Sequence, residues 1–434
     1  MVVDEVFVED IIKSDKKQFY EDLELPKQEY MNKKNIYPVI ADFTEYSPLH
    51  NGHLFCMNEA KKLHPDALFV AVIPGLFERN GRGLPYILTR KKRAELAISL
   101  GADIVVEGPP MGVMGSGQYS LCLAKMFKAL NADYIPRGYI SCDPKFIIIL
   151  NYINNGKAVA PKPYKIISME NKKVLLEGKL HNDDYVIVSL SKSLTKVNFD
   201  YKNKFIFIPR LENVSGTKIR EKVSQNSLDE LSSMLPDETI AMLKSEIESG
   251  HAPLHDVRAE KLLLDNVNNI SEESLYALTL MDCETADNIL KNRPFNTIDD
   301  LLDSITRGFS KHRKQRILSV LEACIKKDEI HKYIHNYPQK IRILGYKNKD
   351  VLNKFKYNLK NNNLIGEIEK YANRWKRLYK TKLYRKSKKY RRCIWHNLWR
   401  SCRWSRNKKW KQRLQTNGTC CRIITINTKT PRRN

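Results

Sequence analysis

Pro38-Val39-Ile40-Ala41-Asp42-Phe43 runs into Thr44-Glu45-Tyr46-Ser47-Pro48-Leu49-His50-Asn51-Gly52-His53. The first six residues, apolar but for Asp42 and β-rich, read as a buried strand. Ser47-Pro48 is a turn signal, and from Gly52 the spacing predicts a helix to Leu63. Two imidazoles therefore fall where a strand ends and a helix begins. Free backbone N–H groups and the helix dipole make such a place favourable for anions. The glycine between the histidines permits close approach of a phosphate. Each imidazole can donate to phosphate oxygens as charge builds during phosphoryl or adenylyl transfer. The plain alternative is two unrelated surface histidines beside a turn; the strand–turn–helix context weighs against it.

The pattern spreads outward as alternating strands and helices. Ala67–Ile73, Ala102–Glu107, Ala132–Ile135, Asp184–Leu190 and Lys204–Ile208 read as further strands. Thr89–Leu100, ending at Gly101, and Gln118–Leu130 have helical spacing, and another helix begins near Thr217. Such alternation predicts right-handed βαβ units and a doubly wound, Rossmann-like parallel α/β sheet over residues 36–224. Residues 1–35 hold an amphipathic helix and read as an N-terminal extension. Residues 225–350 read as a helical domain, with candidate helices at Ser271–Leu290, Thr297–Ser304 and Lys311–Lys327.

A second motif lies beyond the strand at Lys204–Ile208. In Glu212-Asn213-Val214-Ser215-Gly216-Thr217-Lys218-Ile219-Arg220, the Ser215 and Thr217 hydroxyls can cap a helix and meet a phosphate. Arg220, one turn in, can reach the same place with a two-pronged guanidinium. Alone this is an ordinary N-cap followed by a surface arginine. Paired with His50–His53 in an α/β frame, it reads as the other half of one site.

HxGH followed by SxTxxR resembles the nucleotidyltransferase superfamily with the HIGH signature. Within it, EYSPLHNGHL is similar to the EYNPFHNGH of the bacterial tRNA(Met) cytidine acetate ligases. Ile73–Gly81 resembles that family's MSGNFVQRG, and Arg93–Ala97 with Gly101–Pro109 resembles its RAKMAL…GADLVIELP. Gly138 falls where the family has a nucleotide-binding glycine. Departures are Ser47 for Asn, Leu49 for Phe and Leu76 for Asn. Residues 141–200 follow the family poorly, so the sequence does not place its ATP-contacting Asn.

The resemblance implies an enzyme that binds ATP with Mg²⁺, adenylylates a small carboxylic acid such as acetate, and passes the acyl group to a tRNA cytidine. It implies catalytic roles for His50, His53 and Arg220. It implies ATP contacts from Glu45, Tyr46, Ser47, Pro48, His50, Gly52, His53, Gly138, Ser215, Thr217 and Arg220, with Mg²⁺ on phosphate oxygens rather than in a protein cage. An adenylyltransferase acting on a small metabolite, and a non-catalytic RNA-binding protein on the same fold, are the alternatives. The intact histidine pair argues against the last.

Residues 284–318 resemble a helix-hairpin-helix unit, with Lys311, His312, Arg313, Lys314 and Arg316 clustered near its end. Lys311, Arg313, Lys314 and Arg316 are candidates for RNA phosphates. A helical packing unit with a solvated basic face fits the same residues.

Composition bounds the rest. The 434 residues carry 75 Lys+Arg against 49 Asp+Glu, but 22 basic and no acidic residues fall in Tyr371–Asn434. The preceding 370 residues hold 53 basic and 49 acidic, a net of only +4. All five tryptophans also lie in that last stretch. Residues 351–434 therefore read as a basic tail, which is either a nucleic-acid arm or a reading frame that slipped near residue 370. Cys393, His396, Cys402, Cys420 and Cys421 match no ordinary zinc-finger spacing. No apolar run approaches the ~20 residues of a membrane span, and the acidic N-terminus does not resemble a signal peptide. Nine scattered cysteines suggest reduced thiols, so the expected location is the cytoplasm and no membrane partner is expected.

Overall fold

The computed structural model describes residues 3–141, 143–178, 180–255, 257–306 and 308–369, which belong to one compact unit. Ten strands organise it: β1 Val39–Phe43, β2 Leu68–Pro74, β3 Ile104–Gly108, β4 Ile135–Tyr139, β5 Val159–Lys162, β6 Lys165–Ser168, β7 Val174–Glu177, β8 Phe205–Pro209, β9 Ile341–Tyr346 and β10 Gly366–Ile368. β1, β2 and β3 run parallel; β9 pairs antiparallel with β3, and β10 parallel with β9. β4 and β8 form a parallel pair. The pair is attached to β1 at Tyr134, through Ala41 N–H to Tyr134 O at 2.9 Å and Tyr134 N–H to Val39 O at 3.1 Å. β1 thus has β2 on one side and β4 on the other, the switch point at which α/β folds bind ligands.

Residue alternation puts a core on each face of the sheet. Val39, Ala41, Val70, Val72, Ile104 and Val106 lie in one, and Ile40, Phe69, Ala71, Ile73 and Val105 in the other. β2 is buried along its whole length, as a central parallel strand should be. The helices Asn51–Leu63 and Gly216–Ser224 cover the second face through Met57, Ala60, Ile219 and Val223.

Several expectations need correction. Residues 5–23 form a helix that is part of the core rather than an added extension. Phe19 is fully buried and stacks on Tyr333 at 5.2 Å, and Asp22 pairs with Arg342 at 2.7 Å. Asp184–Leu190 is not a strand; it lies within the helix Asn182–Lys196. Ile187, Val188, Leu190 and Leu194 fall on its buried side, so helical periodicity overrides β-branched propensity. The fourth strand begins where Ala132–Ile135 was expected to end. Residues 159–177, left without strands above, form an antiparallel three-stranded sheet of β5, β6 and β7. Ser271–Leu290 is two helices, Glu272–Ala277 and Cys283–Asn292, broken near Leu280 at φ 60°.

The helical segment contributes β9 to the main sheet. The expected boundary at 350 falls inside the helix Lys349–Asn361, which buries Leu352, Phe355 and Leu359, and β10 follows it. Residues 370–434, and with them the readings of an arm, a frame slip and the cysteines there, lie outside the described residues. No described helix is long and apolar enough to cross a membrane.

Candidate active site

β1 ends at Phe43, and the chain turns through Glu45, Tyr46, Ser47 and Pro48 before His50 caps the helix Asn51–Leu63. His50 is extended and its Nδ1 accepts the His53 backbone N–H at 3.3 Å. With Nδ1 accepting, the neutral ring carries its proton on Nε2. The two imidazoles stack at 3.7 Å, and the His53 ring meets Tyr46 edge-on at 5.3 Å. A Cβ at position 52 would stand 3.1 Å from His50 Cε1, so Gly52 lets the ring lie over its own helix turn.

The same phantom Cβ would lie 3.8 Å from Val214, so the loop after β8 packs against the histidine turn. Ser215 caps the helix Gly216–Ser224 by accepting the Lys218 N–H at 3.4 Å. Arg220 donates to Thr217 Oγ1 at 3.2 Å, and its Nη1 lies 3.4 Å from where a Gly216 side chain would begin. Two helix N-termini, two imidazoles and a guanidinium thus converge.

Burial dominates the electrostatics. It lowers His50 to about 4, and the charges of Arg210 and Arg220 push the same way. Burial also holds His53 well below the usual imidazole range, with His50 and Arg210 adding to the effect. Both rings are neutral near pH 7 and act as hydrogen-bond donors, not cations. Arg220 is itself lowered by burial, offset by Glu45. Burial raises Glu45, while Arg93, the Gly81 N–H, Arg82 and Arg220 pull it back. Neutral donors ringed by guanidinium charge suit a polyanion whose charge is delocalised.

The other expected residues are distributed unevenly. Tyr46 and Pro48 are buried in the turn, and Ser47 Oγ accepts the Ile87 N–H at 3.0 Å, so these three shape the loop. Gly138 lies near the end of β4, and a Cβ there would be 3.3 Å from the Arg210 stem. Arg210 was missed by the sequence reading. Its signal was its position as the first residue after β8, on the sheet's carboxyl edge.

The basic cluster does not act as one patch. Arg313 pairs with Asp282 at 2.8 Å and lies over Phe309, while Lys314 donates to the Leu302 carbonyl at 2.8 Å. Lys311 and His312 are exposed. Arg316 packs against the Gly83 turn instead. A Cβ on Gly83, whose φ is +76°, would stand 2.4 Å from the Arg316 backbone N, so only glycine fits this approach. Arg82 and Arg316 both act on the charge of Tyr119, as does Glu45, and both act on His312. Arg82, also unforeseen, therefore links the helical segment to the mouth of the site.

A buried network fixes this linkage. Arg79 holds Glu322 two-pronged, at 3.1 Å from Nε and 2.9 Å from Nη2, with both residues 2% exposed or less. Arg258 joins Glu322 and donates to the Gly83 carbonyl at 2.6 Å. Among the described residues, no group of three or more His, Cys, Asp or Glu is arranged to hold a metal ion.

This geometry, two helix N-termini and a histidine pair at a switch point, defines a nucleotidyltransferase-type site. The sequence family described as HIGH Nucleotidyl Transferase matches residues 38–136, and that described as Cytidyltransferase-related C-terminal region matches 142–345. An uncharacterized protein of Methanocaldococcus jannaschii is 43% identical over 79% of this chain and 95% of its own length. The tRNA(Met) cytidine acetate ligase of Acetivibrio thermocellus is 28% identical over 72% of this chain and 83% of its own. The chain belongs to the HIGH nucleotidyltransferase superfamily, and tRNA(Met) cytidine acetate ligases are among its relatives. Its fold is that of the crystal structure of Thermotoga maritima TmcAL bound with alpha-thio ATP: TM-score 0.61, 21% identity, 76% of this chain and 85% of that one.

Proposed function

We propose that the chain is an ATP-dependent adenylylating enzyme of the tRNA cytidine acetate ligase kind. It activates a small carboxylic acid such as acetate as an acyl-adenylate and passes the acyl group to a tRNA cytidine, giving N4-acetylcytidine. The observation that carries the reading is the neutral, stacked His50–His53 pair between two helix N-termini, beside Arg210 and Arg220. Triphosphate lies along the helix N-termini, with Thr217 and Arg220 on its oxygens. His50 Nε2–H donates to the α-phosphate oxygens as the carboxylate attacks and pyrophosphate leaves. Mg²⁺, when bound, would be held by the phosphate oxygens and would neutralise their charge. Glu45, already engaged by neighbouring guanidinium groups, supplies at most a single carboxylate, which suits a phosphate-held ion rather than a protein cage.

RNA as acceptor, rather than a small metabolite, is supported by the cations beside Glu45 and Tyr119, Arg82 and Arg316. The test is pyrophosphate release from ATP with acetate, together with mass spectrometry of tRNA nucleosides after reaction. The reading expects acetate-dependent pyrophosphate and a new acetylated cytidine. Orthophosphate as the sole product would overturn adenylylation, and pyrophosphate release indifferent to added tRNA would move the acceptor to a metabolite.

A further inference from the structure

Resting on that reading, we propose that the crevice between the carboxyl ends of β1 and β4 is a subsite for a small monocarboxylate, lined by Tyr46, His53 and Arg137. Arg137, on β4, is 8% exposed and reaches across the switch point to β1. Its Nη1 donates to Asp42 Oδ1 at 2.8 Å and to the Phe43 carbonyl at 3.0 Å. Its Nε–H is buried with no partner. Tyr46 is fully buried, and its hydroxyl has no partner either. The His53 ring packs edge-on against Tyr46, and its Nδ1 is the third buried atom without a partner.

A buried polar group left without a hydrogen-bond partner is destabilising. Three such groups, from the β1 turn, the first helical turn and β4, point to a ligand that supplies what they lack. Their chemistry identifies it. A guanidinium N–H, a phenol O–H and an imidazole nitrogen able to carry a proton together accept an anion with two oxygens. Asp42 occupies Nη1, so the ligand meets the Nε edge. Cys56 and Asp42 both act on Tyr46; burial pushes the Cys56 thiol up to about 12, so it stays protonated and does not repel the carboxylate. The seat adjoins the histidine pair. A carboxylate oxygen held there attacks the α-phosphorus of ATP, the bond from that phosphorus to the bridging oxygen breaks, and pyrophosphate leaves with the electron pair. The product is the mixed acyl–phosphate anhydride.

The test is saturation-transfer NMR of acetate on the full chain with a non-hydrolysable ATP analogue. Propionate and inorganic phosphate serve as competitors, and ATP–pyrophosphate exchange is measured alongside. The expected result is acetate binding that propionate displaces and phosphate does not. Tyr46→Phe removes one unpartnered hydroxyl, so it should keep its melting temperature while acetate binds at least about tenfold more weakly. Arg137→Gln should abolish acetate binding, but it also strips Asp42 of its cation, so Tyr46→Phe carries the decision. Wild-type protein without an acetate signal, displacement by phosphate, or Tyr46→Phe binding acetate like the wild type would each overturn the subsite. Acetate binding without pyrophosphate exchange would leave the subsite standing and remove the adenylylation reading.

Discussion

At position 50 one imidazole has two roles: it caps a helix and it faces the ligand. Removing it therefore costs both. His50→Ala should lower acetate-dependent turnover by about 10²-fold or more, the scale for losing one transition-state donor, and remove about 1 kcal/mol with the cap. His53→Ala should lower turnover similarly without the capping loss. Steady-state kinetics and thermal melts of the two variants check this; full activity in the double variant would remove the pair from the mechanism. The ring also makes a pH signature. His50 falls to about 4 in the folded chain, against about 6.5 when unfolded. Above pH 6.5 neither state is protonated. As pH falls from 6.5 to 4, the unfolded chain binds a proton that the folded one refuses, so stability is lost. Relative to His50→Gln, the wild type should lose about 3 kcal/mol across that window. Denaturant melts at pH 7, 5.5 and 4.5 measure it, and parallel pH curves for the two proteins would contradict it.

At the scale of elements, the strand–turn–helix at 38–63 was legible because its two signals agree: β-rich burial, then Pro and Gly at the turn with helical spacing after it. The motif at 212–220 was legible for the same reason. Arg82, Arg210 and Arg137 were not. Arg82 and Arg210 lie in loops and Arg137 within β4, and nothing local in the sequence says which strand stands beside which. Only the order β4-β1-β2 brings Arg137 to Asp42. The helix Asn182–Lys196 was misread because Tyr185, Val186, Ile187 and Val188 are adjacent and β-rich, and its buried residues are separated by three and four only over a longer window. The basic run at 311–316 shows another limit: charge density in sequence does not say which cations are already paired. Arg82 and Arg316 are therefore the better targets. Arg82→Ala with Arg316→Ala should weaken tRNA binding and lower the log–log salt slope by up to about 2. Arg313→Ala should alter it less, because Asp282 already holds that guanidinium. Filter binding across salt concentrations decides; equal slopes in all variants would move the RNA elsewhere.

Across the whole molecule, two devices join the nucleotidyltransferase half to the helical half. One is the ion network around Glu322. Glu322→Ala would leave Arg79 and Arg258 buried without a partner, at a cost of about 3–5 kcal/mol. Arg79→Met with Glu322→Leu should recover part of that loss, since the uncompensated charge is reduced with the pair. Denaturant midpoints of the single and double variants test this, and equal midpoints would mean that the network contributes nothing to the junction.

The second device is the sheet itself, which passes from β3 to β9 and ends at β10. It sets where the folded body stops. Cutting at residue 350 removes β10 and most of the helix Lys349–Asn361, with Leu352, Phe355, Leu359 and Leu364 all 7% exposed or less. At about 1.5–3 kcal/mol for each buried side chain, that loss is comparable to the ~5–15 kcal/mol by which a domain is stable. A chain ending at 350 should therefore not fold cooperatively. A chain ending at residue 370 retains every described strand and helix and a net charge of only +4. It should melt as the full chain does, bind ATP with the same affinity, and keep acetate-dependent pyrophosphate release. Circular-dichroism melts, ATP titration and the pyrophosphate assay on the two truncations decide between the boundaries. If the 370-residue chain folds and releases pyrophosphate but no longer acetylates tRNA, Tyr371–Asn434 is a working nucleic-acid arm. If it acetylates tRNA as well as the full chain does, sequencing the gene across the codons for Glu369–Arg374 becomes the direct test of a slipped frame.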